Sequence, residues 1–207
     1  TRLDINALNN LSLNIANAFY TSLYHQDVLE KRRLEHEITL AKNLQEQLLP
    51  REAPHIPGIS LCGSYVPSKE VGGDYYDFVL GDAILAGPDI FPEKRFYIAI
   101  GDVSGKGLDA GLIMIILKAS LHNLSKSIFS PLKMLLELNS FLYTHVKQQK
   151  FVSLLLLLYL PETQSLKYSS AGHEHILVFH SSEKKVEVIK SGGVILGMIE
   201  KIEAYLE

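Results

Sequence analysis

The most constraining feature of the sequence is that its first 49 residues contain neither glycine nor proline. Within this stretch, apolar residues recur at helical spacing, and charged residues fill many of the positions between them. The apolar positions are Leu8, Leu11, Ile15, Ala18, Leu34, Ile38, Ala41 and Leu48. The pattern predicts one long amphipathic helix, or two helices end to end, that stops at Leu49-Pro50.

Such a helix is too long to bury its apolar stripe on a small domain, because about 45 helical residues extend roughly 68 Å. Pairing with a second copy of the same helix would bury that stripe. A helix that folds back on the rest of the chain is the alternative, because the spacing is only partly heptad. We interpret residues 1–49 as a signalling helix that forms a homodimer, and residues 50–207 as a separate domain.

Composition excludes several classes of protein. The 207 residues are 47% hydrophobic and 21% charged, which is typical of a globular protein with a core. A net charge of −3 gives no basic field that would attract nucleic acid. The longest apolar run, residues 151–160, is half the length of a membrane span. A single cysteine, Cys62, excludes a disulfide framework. These features predict a cytoplasmic protein with no nucleic-acid partner and no membrane span.

After residue 50 the pattern changes to that of short strands around two helices. The predicted strands are 59–66, 75–80, 96–103, 151–160, 166–170, 176–180 and 186–190. One helix is predicted at about 108–127, and a second begins at Ser130-Pro131, a favourable N-cap and first-turn pair. Residues 161–164 and 181–184 are predicted hairpin connections. Strands, two adjacent helices and further strands indicate the α+β class with a mostly antiparallel sheet.

Two segments combine glycine with aspartate next to strands. They are Gly72-Gly73-Asp74 and Gly101-Asp102-Val103-Ser104-Gly105-Lys106-Gly107. An aspartate beside glycine places a carboxylate where the backbone can fold closely around a ligand, and hard cations such as Mg²⁺ and Mn²⁺ prefer oxygen ligands. The alternative is that both segments are ordinary turns, because glycine and aspartate are common turn residues.

Three other interpretations of these segments depend on spacing. A phosphate-binding loop fails because Ile100 stands where the first glycine is required, five positions before Gly105. A dinucleotide-binding fingerprint lacks the acidic residue at a second strand about 20 residues further on. The Gly72-Gly73-Asp74 triplet is similar to the signature of cyclic-dinucleotide synthases, but there acidic and aromatic residues should follow instead of Tyr75-Tyr76.

A third candidate segment, 170–175, contains His173, Glu174 and His175. We interpret Gly172-His173 as a structural turn that leads into the strand 176–180, and metal binding by His173 as the less favoured alternative. The isolated histidines are interpreted as packed or surface residues; they are His122, His145 and His180. Asp77 follows Asp74 closely, and we assign it no direct contact with a metal.

The chain carries four short motifs. Their combined order and spacing identify a family more specifically than any single motif does. The motifs are Leu40-Ala41-x-x-Leu44-Gln45-x-x-Leu48-Leu49-Pro50, Gly72-Gly73-Asp74-Tyr75-Tyr76-Asp77, Gly101-Asp102-Val103-Ser104-Gly105-Lys106-Gly107 and Ala171-Gly172-His173. Together they resemble the bacterial PPM-type protein serine/threonine phosphatases, in the branch of sporulation stage II protein E and the activators of stress-response sigma factors. Residues 1–39 resemble the closing helix of a GAF-type sensory module followed by a signalling linker.

The resemblance implies an α-β-β-α sandwich and a metal-dependent phosphatase with two Mn²⁺ or Mg²⁺ ions. Asp74 corresponds to the family's first metal aspartate, Asp102 to the second, which bridges both ions, and the Val103 carbonyl to a backbone ligand. The implied substrate is a phosphoserine or phosphothreonine protein, in the related branch an anti-sigma-factor antagonist. The alternatives are a phosphatase-like regulatory module that binds its partner without turnover and, less favoured, a cyclic-dinucleotide enzyme.

The resemblance also implies further metal aspartates near the C-terminus of the domain, where this sequence has none. Asp109 is the last aspartate of the chain. Two carboxylates and one carbonyl leave most positions of two six-coordinate ions to water. We therefore expect a domain that is incomplete at its C-terminus, that binds at most one ion weakly and that is inactive or nearly so unless the protein continues past Glu207.

Overall fold

The computed structural model describes residues 2–66, 71–81, 95–146 and 150–202. A single helix, α1 (Arg2–Leu48), spans 47 residues, so the prediction of a long N-terminal helix is confirmed. Apolar side chains along α1 are exposed; Ile15, Phe19 and Leu34 each expose more than half of their surface, at 61%, 66% and 53%. The chain divides into two compact units, Thr1–Lys42 and Asn43–Glu207. Pairing of α1 with a second copy stays a prediction.

The second unit contains two helices and six strands in the described residues. Its elements are β1 (Asp74–Gly81), β2 (Arg95–Val103), α2 (Leu108–Leu124), α3 (Pro131–His145), β3 (Val152–Leu160), β4 (Ser165–Ala171), β5 (Ile176–His180) and β6 (Lys185–Ile189). One sheet has the order β1-β2-β3-β4 with every neighbouring pair antiparallel, and β5 pairs with β6 in a separate antiparallel hairpin. The predicted α+β class and antiparallel sheet are confirmed.

The core lies between the four-stranded sheet and the two helices. Fully buried side chains from the sheet, such as Tyr97 and Leu156, pack with Met114 and Leu117 of α2 and Leu138 of α3. β3 is almost continuously apolar because it is a central strand, with neighbours on both sides. Burial of these side chains fixes α2 against the sheet, and α2 begins five residues after Val103 at the end of β2.

Local sequence signals set several of the boundaries. The Ser130 side chain accepts a hydrogen bond from the Lys133 amide at the start of α3, which confirms the predicted N-cap. Both predicted hairpin connections are turns, and each ends in a residue with positive φ, Gln164 at 50° and Lys184 at 52°.

The strand predicted at 59–66 is wrong. Residues 60–66 have no regular secondary structure, and the segment forms only an isolated bridge between Ile56 and Ile59. A Cβ atom on Gly63 would lie 2.4 Å from the Tyr76 ring, so this segment packs against a side chain of β1. An alternating pattern becomes a strand only where a neighbouring backbone offers hydrogen bonds, and here the alternation serves side-chain packing instead.

None of the helices in the described ranges combines the length and the apolar character needed to cross a membrane.

Candidate metal centre

The antiparallel pairing of β1 and β2 places Asp74 directly opposite Asp102. Both side chains are exposed on the sheet face away from the buried residues Tyr75 and Val103. Directly opposite residues of an antiparallel pair have Cβ atoms about 4.5–5.5 Å apart. Burial raises the pKa of Asp102, and the charge of Asp74 and a hydrogen bond with it raise that pKa further. Two carboxylates in this position repel each other, and a cation would remove the repulsion.

The backbone around Gly73 brings the Val103 carbonyl to the same place. The Val103 amide donates a hydrogen bond to the Gly73 carbonyl at 3.1 Å. A Cβ atom on Gly73 would lie 2.5 Å from the Val103 carbonyl oxygen and 3.4 Å from Oδ1 of Asp102. Those two oxygens therefore converge on the position that a side chain of residue 73 would fill, and only glycine leaves that position open.

A cleft with a volume of about 240 Å³ opens beside the aspartates. Its lining residues are Ser64, Tyr65, Val66, Asp74, Tyr75, Tyr76, Ile100, Gly101, Asp102 and His173. The Tyr65 hydroxyl is buried and has no hydrogen-bond partner in the part of the chain that the structure describes. Burial raises the pKa of Tyr65, and the charges of Asp74 and Glu46 add to this effect. The Tyr65 hydroxyl is therefore an unsatisfied buried group close to the carboxylates.

The oxygen atoms of this site supply some of the ligands that a hard cation needs. Two facing carboxylates and a nearby carbonyl are oxygen ligands of the kind that Mg²⁺ and Mn²⁺ prefer. Over residues 2–66, 71–81, 95–146 and 150–202, no group of three or more His, Cys, Asp and Glu side chains is arranged to hold a metal ion. The donor set of Asp74, Asp102 and the Val103 carbonyl would therefore suit one ion and would leave its remaining coordination positions to water.

His173 lies in this cleft, although the sequence favoured a structural turn for it. Its Nδ1 is 2.9 Å from the Ser153 hydroxyl, and Ser153 is the β3 residue paired with Asp102. Burial lowers the pKa of His173, while the charges of Glu174, Asp102 and Asp74 act in the opposite direction. The turn at Gly172 exists, with φ of 68°, and it delivers the imidazole to the site.

Asp77 forms a buried cluster on the other face of β1. Its carboxylate, 2% exposed, accepts hydrogen bonds from the Tyr75 hydroxyl at 2.9 Å and the Lys118 ammonium at 2.5 Å, and it lies 2.8 Å from Nε2 of His122. Burial alone would raise the pKa of Asp77, but the hydrogen bonds and charges of His122 and Lys118 outweigh it and lower the pKa. His122 is thus part of a polar cluster that joins α2 to the strand carrying Asp74. Its isolated position in the sequence did not indicate this contact.

The end of α1 contacts the glycine segment through Gln45. This buried side chain donates from Nε2 to the Gly72 carbonyl at 2.7 Å and accepts from the Gly72 amide at 3.1 Å. A Cβ atom on Gly111 of α2 would lie 2.4 Å from Val71, so α2 packs tightly against the same segment. Gln45 belongs to a motif that the sequence singled out, but its contact partner could not be read from that motif.

Comparison with known proteins gives one family and two curated relatives. Residues 92–206 match the family described as Stage II sporulation protein E (SpoIIE). Phosphoserine phosphatase RsbU of Bacillus subtilis (strain 168) is 27% identical over 168 residues, covering 81% of this chain and 47% of that protein. Protein IcfG of Synechocystis sp. (strain ATCC 27184 / PCC 6803 / Kazusa) is 26% identical over 191 residues, covering 79% of this chain and 28% of that protein. The chain therefore spans less than half the length of these curated relatives.

Two solved structures share the fold. The SiaA-PP2C domain of Pseudomonas aeruginosa superimposes with a TM-score of 0.61 at 15% identity, covering 85% of this chain and 66% of that one. The RsbU and RsbW domains of Rv1364c from Mycobacterium tuberculosis give a TM-score of 0.51 at 22% identity, covering 64% of this chain and 34% of that one. At these identities the likeness establishes the fold alone.

Proposed function

Because the chain belongs to the stage II sporulation protein E family, we propose that it carries the metal centre of a PPM-type phosphatase. The reaction is removal of phosphate from a serine or threonine of a partner protein. The observation that carries the proposal is the direct opposition of Asp74 and Asp102 on β1 and β2. Like charges directly opposite each other on neighbouring strands destabilise a sheet, so this arrangement has a cost that a bound cation offsets.

In this proposal Asp74 and Asp102 hold Mn²⁺ or Mg²⁺, and the Val103 carbonyl adds a third oxygen. When bound, the metal activates a water molecule and offsets the negative charge of the phosphoryl group. Gly73 keeps the space between Val103 and Asp102 free of a side chain. The cleft beside them receives the phosphorylated side chain.

The name of the curated relative RsbU supports phosphoserine as the group that is hydrolysed. We extend this to a substrate protein that is an anti-sigma-factor antagonist, as the resemblance in the sequence implies, and to action in the cytoplasm. Residues 1–49 then act as a dimerisation and signalling helix. Gln45 couples the end of α1 to the glycine segment, because any rotation of its side chain breaks two hydrogen bonds to Gly72.

A phosphatase-like module that binds its partner without turnover is the second candidate. It is favoured by the small donor set, because the described residues offer two carboxylates where two ions would need more. Because the described residues offer only two carboxylates, we expect the 207-residue chain by itself to bind at most one ion weakly and to be inactive or nearly so. Turnover should therefore be measured with the full natural protein.

Hydrolysis of a phosphoserine peptide by the full natural protein, with and without Mn²⁺, separates the two candidates. A phosphatase releases phosphate only when Mn²⁺ is present, and Asp74→Asn and Asp102→Asn each abolish this release. Asp109→Asn is the matched control, because Asp109 is an exposed aspartate in the first turn of α2. Peptide binding without phosphate release would favour the binding module, and near-normal turnover by Asp102→Asn would refute its place in the metal centre.

A further inference from the structure

His173 is held in the cleft by contacts on several sides. Its Nδ1 is 2.9 Å from the Ser153 hydroxyl, and its backbone amide donates to the Ser170 hydroxyl at 3.3 Å. Its carbonyl accepts from the Ser191 hydroxyl at 2.7 Å. Three serines from separate parts of the chain thus fix one residue. A histidine that only filled a turn would not need a ring contact to Ser153, the β3 residue that pairs with Asp102.

The backbone before His173 is also specialised for its position. Gly172 has φ of 68°, in the left-handed region that favours glycine, and a Cβ atom there would lie 2.7 Å from the Ile195 side chain. The chain therefore turns sharply between β4 and His173. This turn brings the imidazole into the cleft that Asp74 and Asp102 line.

The two ring nitrogens of His173 have different surroundings. Nδ1 is occupied by Ser153, whereas Nε2 has no hydrogen-bond partner within residues 2–66, 71–81, 95–146 and 150–202. A Ser153 hydroxyl that donates to Nδ1 leaves the ring hydrogen on Nε2. The carboxylates of Asp74 and Asp102, which line the same cleft, favour this arrangement because they attract an N–H group and repel a lone pair.

The cleft needs such a donor. None of its described lining residues is lysine or arginine, the side chains that most often bind phosphate. The Tyr75 and Tyr76 hydroxyls already donate, to Asp77 and to the Pro50 carbonyl. Apart from the Ser64 hydroxyl and the buried Tyr65 hydroxyl, the imidazole is therefore the described lining side chain with a hydrogen free for an anion, and the fold holds it in a fixed position.

We propose that His173 is a substrate-binding residue whose Nε2–H donates a hydrogen bond to a phosphoryl oxygen, with Ser153 fixing the ring. The inference rests on the proposed phosphatase function, because the carboxylates would repel a phosphoryl group unless a metal offset their charge. In this proposal His173 binds the substrate, and only oxygen atoms bind the metal. This agrees with the preference of Mg²⁺ and Mn²⁺ for oxygen ligands.

The test is calorimetric titration of this chain with Mg²⁺ and then with inorganic phosphate, for wild type and two replacements of His173. An asparagine amide can reproduce the Nδ1 contact with Ser153, whereas a glutamine amide can reproduce a donor at Nε2. We expect His173→Asn to weaken phosphate binding about fivefold, the effect of one hydrogen bond. We expect His173→Gln to stay within about twofold of wild type. Neither variant should change Mg²⁺ affinity.

His180→Asn is the matched control, because His180 lies on β5, bonds to Glu187 and does not line the cleft. Rescue by asparagine and not by glutamine, or an equal effect of His180→Asn, would show a structural role and overturn the proposal. Loss of Mg²⁺ affinity in His173→Asn would make His173 a metal ligand and also overturn it.

Nitrogen-15 NMR of the imidazole supplies a second readout that does not depend on replacement. Nε2 should be protonated in the free chain, and its shift should move when phosphate is added after Mg²⁺, while the His180 signals stay unchanged. If Mg²⁺ binds and phosphate leaves His173 unchanged, only the present proposal fails. If Mg²⁺ does not bind at all, the proposed metal centre fails and this proposal fails with it.

Discussion

Replacing Asp102 with asparagine should stabilise the metal-free chain while it removes the metal site. The substitution keeps the shape of the side chain and removes one of two like charges that face each other across β1 and β2. A cross-strand pair contributes about 0.2–1 kcal/mol to stability. Because both aspartates are exposed, solvent screens the repulsion, and we expect a gain of about 0.5 kcal/mol. That gain corresponds to a rise in Tm of about 1–2 °C for a domain of this size.

The gain should depend on pH with a defined sign. The pKa of Asp102 is raised above its ordinary value of 3.8 in the folded chain, so ionisation of this carboxyl costs stability. The full advantage of Asp102→Asn is therefore present above the raised pKa. It disappears as pH falls through that pKa and then below 3.8, where the wild-type carboxyl is protonated in both the folded and the unfolded state.

Thermal unfolding followed by circular dichroism between pH 3 and pH 8, in the presence of a chelator, measures this effect. Asp109→Asn is the control for removal of an exposed carboxylate outside the pair. Adding Mn²⁺ should reverse the order, because only the wild type gains stability from the ion. A Tm of Asp102→Asn below that of the wild type at pH 7 without metal would refute the argument that the two carboxylates repel each other.

Other parts of the structure give three further expectations. Asp77→Asn should lower the free energy of unfolding by about 2–3 kcal/mol in urea at neutral pH, because it leaves the Lys118 ammonium without its buried partner. Since the pKa of Asp77 is lowered in the folded chain, this loss should shrink as pH falls through that pKa, and an equal loss at all pH values would contradict it. Gln45→Leu should cost about 2 kcal/mol and speed hydrogen exchange at the Gly72 amide, because two buried backbone groups lose their partner; unchanged exchange would show that the contact is dispensable. Removal of residues 1–39 should convert a dimer to a monomer in sedimentation, and a monomer in both cases would exclude pairing through α1.

The sequence predicted most of the elements because their signals are local. The alternating strands and the Ser130-Pro131 helix start depend on residues a few positions apart, and the structure confirms them within one or two residues. The strand predicted at 59–66 failed because alternation does not reveal whether a neighbouring strand is available. Local signals also could not predict that Asp74 pairs with Asp102, because this pairing depends on the register of two strands.

The contacts missed from the sequence are all long-range. Gln45 and Gly72 are 27 residues apart, and Asp77 and His122 are 45 apart. His173 is 20 residues from Ser153, and it reaches the cleft only because β3 and β4 are neighbours in the sheet. Each of these polar side chains lies in a segment that the sequence explained locally, as part of a helix, as a surface position or as a turn. Their roles follow from tertiary packing.

Titration of Mn²⁺ into the 207-residue chain by calorimetry tests the metal centre most directly, because it counts ions without depending on turnover or on a substrate. The facing carboxylates and the Val103 carbonyl predict one weak site that is lost in Asp74→Asn and in Asp102→Asn and kept in Asp109→Asn. Two tight sites, or a single site that survives both aspartate replacements, would contradict the assignment of Asp74 and Asp102 as the residues that hold the metal.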